Sequence, residues 1–445
     1  MKIQQFEDKG LAHYSYAILS ECAGEVVLID PARDPQPYYD YAAAHNAKIV
    51  GVIETHPHAD FVSSHLEIHQ QTGATLYAHS KVGADYPHQA FDEGAALQVG
   101  KVKLKSLYTP GHSPDSISVV LEHEGKDKAV FTGDTLFIGD VGRPDLREKA
   151  GSITAKREEL ARQMYHSTRE KLMKLDDDVL VYPAHGAGTL CGKGLSEASS
   201  STIGEEKRTN YALQQMSEEE FVKVLTEDQP FIPKYFGYDV GLNKQGAPAY
   251  KPSLEGVKRL EQNFSPEEGA VIVDARGEKA FKKGHYKGAI NIQNGNKFET
   301  WLGSIVGPDE RYYLVAESED QLHELISKAA KIGYELLIEG AFLLDGEAST
   351  KSPQLDVEAF GQHPEDYTIV DIRNASEVKG GRFFENSINI PLPELRERAG
   401  EIPADKPVVV HCAGGYRSAA GSSIVEAALP GATVLDLSEA VNKFK

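Results

Sequence analysis

The chain has 445 residues and a formal net charge of -20, with a sequence pI near 5.3; it is too long for one ordinary core, and its length predicts about three domains. An acidic excess of this size repels phosphate backbones and anionic bilayers, so nucleic-acid and membrane-surface functions are excluded in favour of small-molecule partners. Met1 to Asp8 lack the apolar run of a signal peptide, no stretch approaches the ~20 apolar residues of a spanning helix, and three scattered cysteines, Cys22, Cys191 and Cys412, make no disulfide framework, so a cytoplasmic setting is expected.

Residues 1 to 240 alternate strand-like runs with helical stretches. Cys22 precedes the apolar run Val26-Val27-Leu28-Ile29 and reads as a structural thiol. The next apolar strand, Ile49 to Ile53, runs into Thr55-His56-Pro57-His58-Ala59-Asp60-Phe61. Two histidines and an acid at alternate positions let one loop present several ligands to a metal ion. Three further pieces each follow an apolar run, where a strand hands over to a loop: Thr109-Pro110-Gly111-His112-Ser113, Phe131-Thr132-Gly133-Asp134-Thr135 and Tyr182-Pro183-Ala184-His185-Gly186. A lone histidine is more often a hydrogen-bonded or surface residue, but four such pieces in one domain point to a metal site. Helices are expected from Ala155 to Met173 and from Ser217 to Leu225, and Gly237 to Pro252, rich in Gly, Asn and Pro, reads as a linker.

The second half contains an internal repeat at an offset of about 97 residues. Ile272-Val273-Asp274-Ala275-Arg276 answers to Ile369-Val370-Asp371-Ile372-Arg373, and Ala289-Ile290-Asn291-Ile292 to Ser387-Ile388-Asn389-Ile390. The copies part where chemistry would sit. In the second, the strand Val408-Val409-Val410 runs into His411-Cys412-Ala413-Gly414-Gly415-Tyr416-Arg417-Ser418; in the first, the matching strand leads to Ala316-Glu317-Ser318-Glu319-Asp320, without a cysteine. Backbone N–H groups around Gly414 and Gly415, the start of the following helix and Arg417 would all favour an anion on Cys412. Such a thiolate can accept and hold a sulfane sulfur.

The four N-terminal pieces resemble the metallo-β-lactamase superfamily, whose hydrolases usually carry His-x-His-x-Asp-His. Here the last histidine is Phe61, a ring that cannot coordinate, which suggests one metal on a fold best known for two. The C-terminal copies resemble the rhodanese domain, including Gly284-His285-Tyr286-Lys287-Gly288-Ala289 in the first. The resemblance implies an α/β chain: an αββα metallo-β-lactamase sandwich (1–240), a rhodanese-like domain lacking the catalytic cysteine (253–350) that serves as a spacer or docking module, and a rhodanese domain with Cys412 (351–445). Cys412 and Arg417 have four residues between them, one fewer than a Cys-x5-Arg phosphatase loop, which favours sulfur transfer.

His56, His112 and Asp134 offer two imidazoles and a carboxylate, a set that leaves adjacent positions open on Fe(II); His58 could instead serve a zinc ion as a third strong ligand. Gly139-Asp140-Val141-Gly142-Arg143-Pro144-Asp145 looks like the Gly-Arg-x-Asp signature of the persulfide dioxygenases. That resemblance implies one Fe(II) per chain on His56, His112 and Asp134, with His58, Asp60 and His185 around them. Arg143 would face the substrate, or else pair with Asp140 or Asp145 to fix its loop. Gly186-Ala187-Gly188 stands where stand-alone members tend to have Asp-Tyr after the last histidine, which is expected to open the pocket wall toward a low-molecular-weight or coenzyme-type persulfide other than glutathione persulfide. Cys191, with Lys193 nearby to favour thiolate, either exchanges with substrate or is a buried loop cysteine.

The implied activity is oxidation of a low-molecular-weight persulfide by O2 to sulfite and thiol, with Cys412 moving sulfane sulfur and sulfite becoming thiosulfate. A thioester hydrolase resembling glyoxalase II is the alternative enzyme, and a sulfur carrier with an inactive metallo domain is the reading from another class. The resemblance also implies a homo-oligomer, a dimer or tetramer.

Overall fold

The first residues build strands because their apolar side chains alternate or, in the middle of the sheet, run on without a break. A computed structural model describes residues 1–146, 156–345, 348 and 350–445. In the N-terminal half, β1 (Lys2–Asp8), β2 (His13–Ser20), β3 (Glu25–Ile29), β4 (Lys48–Ile53), β5 (Thr75–Ala78) and β6 (Gln89–Ala90) form one sheet in sequence order. The first three are antiparallel and the rest join in parallel. A second sheet contains β7 (Ala96–Val99), β8 (Val102–Tyr108), β9 (Ile117–His123), β10 (Lys126–Gly133), β11 (Leu180–Pro183) and β12 (Ser201–Thr202).

Tyr16, Ile18, Val27, Ile29 and Ile53 of the first sheet meet Leu104, Val119, Leu121 and Phe131 of the second in one apolar layer. On the outer face of the second sheet, Val120, Val130 and Val181 pack on Ala161 and Met164 of the helix Arg157–His166 and on Phe221 and Leu225 of the helix Glu218–Thr226. On the other side, Ala17, Leu28 and Val52 cover Tyr38 and Ala42 of the helix Gln36–Ala44 and Ile68 of the helix His65–Thr72. The layers are therefore helix, sheet, sheet, helix.

Two expected helices differ in their ends. The one placed from Ala155 runs as a regular helix over Arg157–His166, continues through a wider turn over Ser167–Lys171 and closes with a tight turn over Leu172–Lys174; Ala155 lies outside the described residues. The one placed from Ser217 begins after that residue because Ser217 and Glu220 satisfy each other's backbone N–H groups.

The expected linker is a correction. Most of Gly237 to Pro252 is helical, in Phe236–Gln245 and the start of Tyr250–Glu255. Burial of Phe236, Val240 and Asn243 outweighs the cost of Gly237 and Gly241, about 1 kcal/mol each relative to alanine. Met1–Pro252 form one compact unit together with Lys331–Gly333.

The other unit comprises Ser253–Ala330 and Tyr334–Lys445. It holds a parallel sheet of β13 (Val271–Asp274), β14 (Tyr312–Ala316) and β15 (Ile338–Leu343), and a second one in which β16 (Thr368–Asp371), β17 (Ile388–Asn389), β18 (Val408–His411) and β19 (Val434–Asp436) lie in the order β17-β16-β18-β19. The sequence repeat is a structural repeat. Arg276 pairs with Asp274 at 2.7 Å and donates to the Gly284 carbonyl at 2.8 Å, while Arg373 pairs with Asp371 at 2.6 Å and donates to that of Gly381 at 3.0 Å. Asn291 bridges the carbonyls of Asp274 and Arg276, as Asn389 bridges those of Asp371 and Arg373. The Asp-x-Arg pairs thus clamp each strand-to-helix turn. No helix among the described residues is long and apolar enough to cross a membrane.

Candidate metal centre and cysteine loop

Strand ends expose residues that the strand itself cannot pair, and four such ends carry the histidines and acids. The segments after β4, β8 and β10 bring His56, His112 and Asp134 together, with ligand atoms all within 4.8 Å of one another, and the segment after β11 carries His185. Asp134 Oδ2 is 3.8 Å from His56 Nε2 and 3.5 Å from His112 Nε2. All three residues are buried, and neither His56 Nε2 nor Asp134 Oδ2 has a hydrogen-bond partner.

The far side of each ring sets its tautomer. Thr55 Oγ1 donates to Asp30 Oδ2 at 2.8 Å, so at 3.1 Å it accepts from His56 Nδ1–H. His112 Nδ1–H donates to the Arg143 carbonyl at 2.9 Å. Both Nε2 lone pairs consequently face the shared space. Burial holds His56 well below the usual histidine range and lowers His112 too. Burial pushes the Asp134 carboxyl up, but the charge and hydrogen bond of His185, the largest opposing influences, hold it well below the carboxylate range. Neutral imidazoles and an ionised carboxylate are the protonation states that bind metal, and buried acceptor lone pairs left without a partner are costly. These residues fit a cation.

His58, Asp60 and His185 form a second buried group. His185 Nδ1 donates to Asp134 Oδ1 at 2.7 Å, and its Nε2 lies 2.9 Å from Asp60 Oδ2. Burial disfavours the imidazolium, yet Asp134 and Asp60 raise His185 well above the histidine range. His58 Nε2 is 3.3 Å from Asp30 Oδ1. The Phe61 ring lies against His13 and His58, with centroids 3.8 and 4.4 Å away.

Two residues of this site are missed by sequence reasoning. His13, buried on β2, stands 5.5 Å from His185 and 5.9 Å from His58, ring to ring; nothing in its neighbourhood in the sequence marks it. Asn243 accepts from the Ser63 N–H at 2.8 Å and donates to the carbonyls of His58 and Phe61 at 2.9 and 2.7 Å. It fastens the loop that carries His56 and His58 from within the segment expected to be a linker.

Arg143 makes the pair that was the alternative for it. Its guanidinium makes a two-pronged pair with Asp145 at 2.7 Å, donates to the carbonyls of Leu190, Phe231 and Pro230, and is buried. It fixes its loop, the alternative weighed for it. The loop's contribution to the centre is through its backbone: the Arg143 carbonyl orients His112, and Gly142 runs so close to the Asp134 carbonyl that no side chain fits there.

Cys191 is buried, with Sγ 3.6 Å from Asp60 Oδ2. Burial first, then the charges of Asp60 and Asp134, push its thiol well above the usual range. The expected support from Lys193 is absent, because its ammonium donates to the carbonyls of Val224 and Glu227. Gly186 does not widen a pocket either: a Cβ there would fall 2.8 Å from the ring of Tyr14, which fills that space.

The cysteine loop follows β18. Gly415 N–H donates to Cys412 Sγ at 3.1 Å, and the helix Tyr416–Ala428 starts next. Gly415 has φ +105°, and a Cβ would sit 2.7 Å from the Glu439 nitrogen, so only glycine permits this turn. At Gly414 a side chain would meet open space. Arg417 holds Glu377 with two hydrogen bonds of 2.7 Å. The first repeat supplies neighbours to this loop: Trp301, whose ring centroid is 5.7 Å from the Arg417 guanidinium, and Gln293, whose carbonyl accepts from Tyr416 Oη at 2.6 Å. In that first repeat β14 passes into the helix Glu319–Ala330 with no thiol.

Against known proteins, residues 9–185 match the model of the metallo-beta-lactamase superfamily, and residues 257–347 and 356–445 each match that of the rhodanese-like domain. "Persulfide dioxygenase ETHE1, mitochondrial" of Mus musculus is 29% identical over 244 residues, covering 54% of this chain and 85% of that protein. "Hydroxyacylglutathione hydrolase cytoplasmic" of Arabidopsis thaliana is 33% identical over 176 residues, 39% of this chain and 63% of that one. The crystal structure of a metallo-beta-lactamase from Staphylococcus aureus subsp. aureus COL superposes with a TM-score of 0.69 at 32% identity, covering 77% of this chain and 99% of that one.

Proposed function

We propose, for a chain that belongs to the metallo-beta-lactamase superfamily and carries two rhodanese-like domains, that the metal centre is a one-iron persulfide dioxygenase site whose product passes to Cys412. The observation that carries this reading is the set of His56 Nε2, His112 Nε2 and Asp134 Oδ2, two of them unpartnered in the core, beside a phenylalanine where a second-metal histidine would stand. The persulfide dioxygenase relative supports it.

His56, His112 and Asp134 would hold iron(II), which would supply coordination sites for a thiolate-type substrate and O2. The overall change is R–S–SH + O2 + H2O to R–SH, sulfite and two protons. The chain's own residues hold the ligands in place: Thr55 and the Arg143 carbonyl fix the two rings, and His185 takes up the second oxygen of Asp134. In the rhodanese domain, Cys412 Sγ accepts a hydrogen bond from the Gly415 N–H beside the start of the next helix, where backbone N–H groups can hold an anionic group. A persulfide carried there gives up its outer sulfur to sulfite, which becomes thiosulfate and restores the Cys412 thiolate.

The test is metal analysis with O2 uptake on protein loaded anaerobically with iron. About one iron per chain is expected, with O2 consumed only when a persulfide is present and sulfite formed. His112→Ala should lose both metal and uptake. Two tightly held zinc ions, with cleavage of an acyl thioester in the absence of O2, would replace this reading by that of the hydroxyacylglutathione hydrolase relative.

A further inference from the structure

We infer that Glu278, on the rhodanese-like repeat that has no cysteine, is a positioning residue for Cys412 of the other repeat: it fixes Ser438, and the peptide after Ser438 fixes the Gly415 N–H that faces the sulfur. This role rests on the reading of Cys412 as a sulfur carrier, and it gives the first repeat a part in that reaction beyond the spacer or docking role expected of it. Both repeats lie in one compact unit.

The chain that leaves β19 is held first by its own repeat. Leu437 N–H donates to the Val410 carbonyl at 3.0 Å, and Ser438 N–H to Asp436 Oδ1 at 2.8 Å. Ser438 has φ +50°, a left-handed conformation that a residue with a side chain keeps only where its surroundings hold it. The remaining hold comes from the first repeat. Ser438 Oγ–H donates to Glu278 Oε2 at 2.6 Å, across a separation of 160 residues, and Lys282 Nζ bridges Glu278 Oε2 at 3.2 Å and Asp436 Oδ2 at 2.8 Å.

Close packing carries this hold to the sulfur. The Glu439 nitrogen and the Ser438 carbonyl carbon lie 2.7 and 2.8 Å from where a Gly415 Cβ would stand, so the peptide between residues 438 and 439 lies directly against Gly415, and a shift of one displaces the other. Gly415 N–H donates to Cys412 Sγ at 3.1 Å. The next residue is anchored by the first repeat as well: Tyr416 Oη donates to the Gln293 carbonyl at 2.6 Å, and Gln293 Oε1 accepts from the Glu278 N–H at 3.0 Å. Glu278 therefore reaches the Gly415 turn by two routes, through its carboxylate to Ser438 and through Gln293 to Tyr416. A donor fixed in advance stabilises charge that develops on Sγ during transfer better than one that must first be ordered.

The full chain is assayed for thiosulfate:cyanide transfer and for hydrogen exchange at the Gly415 amide, which needs no activity. Glu278→Ala is expected to lower kcat/KM for thiosulfate about fivefold, the worth of one hydrogen bond, and to quicken Gly415 exchange by a similar factor. Ser438→Ala should match it. Glu278→Gln keeps an oxygen for Ser438 and should stay within about twofold of wild type. Glycine adopts the left-handed conformation freely, so in a Ser438→Gly background the further change Glu278→Ala should alter either measurement by less than about twofold. Unchanged Gly415 exchange in Glu278→Ala, equal losses in Glu278→Gln and Glu278→Ala, or the full loss persisting in the Ser438→Gly background would each overturn the role of Glu278. Transfer that survives in Cys412→Ser would instead overturn the carrier reading, while Gly415 exchange still decides the positioning.

Discussion

Asn243 ties the loop of His58 and Phe61 to the helix Phe236–Gln245. Its side-chain amide satisfies three backbone groups of the metal loop, the Ser63 N–H and the carbonyls of His58 and Phe61, at 2.7–2.9 Å in a fully buried setting. Asn243→Ala strips all three. A net hydrogen bond contributes about 1 kcal/mol, and a buried partner left unsatisfied costs about 1–3 kcal/mol; water entering the vacated space recovers part of that, so a loss of about 3 kcal/mol is expected. That is a large share of a domain stability of about 5–15 kcal/mol. Hydrogen exchange measures it locally: the Ser63 amide should exchange on the order of 10²-fold faster, at about 1.4 kcal/mol per tenfold. Because the same loop carries His56 and His58, competition against a chelator should show metal affinity falling about 10–100-fold. Asn243→Asp keeps the acceptor for Ser63 but turns its other oxygen toward two carbonyls, so its effect at neutral pH should equal or exceed that of alanine. Exchange at Ser63 within about twofold of wild type in Asn243→Ala, with unchanged metal affinity, would refute the reasoning.

Cys412→Ser replaces a thiolate former by an alcohol that cannot carry a persulfide; O2 uptake with persulfide should persist while product analysis shows sulfite in place of thiosulfate and thiosulfate:cyanide transfer is lost. The Glu377–Arg417 pair should show in the acid limb of stability. Burial pushes the Glu377 carboxyl up, but hydrogen bonds and charge from Arg417 outweigh it and hold it below the usual range. A carboxyl lowered on folding stabilises the fold above its unfolded value of about 4.3 and ceases to do so as pH falls through its lower folded value. Urea unfolding of wild type and Glu377→Gln, from about pH 7 to about pH 3, should therefore show a difference that shrinks toward acid; a difference that grows would reverse the sign.

The ligand-bearing pieces were legible because they are local. His56, His112, Asp134 and His185 each follow an apolar run that ends a strand, and an apolar run followed by a loop is written in consecutive residues. The rhodanese-like copies were legible for the same reason: Asp274-Ala275-Arg276 and Asp371-Ile372-Arg373 close contacts within about ten residues, and the cysteine loop ends in a glycine whose positive φ no other residue adopts cheaply. What the sequence could not rank is the choice among partners far along the chain. The Arg143 guanidinium has Asp145 two residues away but also carbonyls nearly ninety residues on, and packing around those carbonyls turned it inward. Lys193 is two positions from Cys191, yet the thiol answers to Asp60, across a separation of 131 residues, while the ammonium answers to carbonyls at 224 and 227. Asn243 reached the metal loop across more than 180 residues from a segment whose glycines read as a linker, because burial of Phe236 and Val240 outweighed local helix propensity. Composition and periodicity set which elements form and which chemistry they bear; only close packing of distant elements in a low-dielectric interior decided which buried donor meets which acceptor.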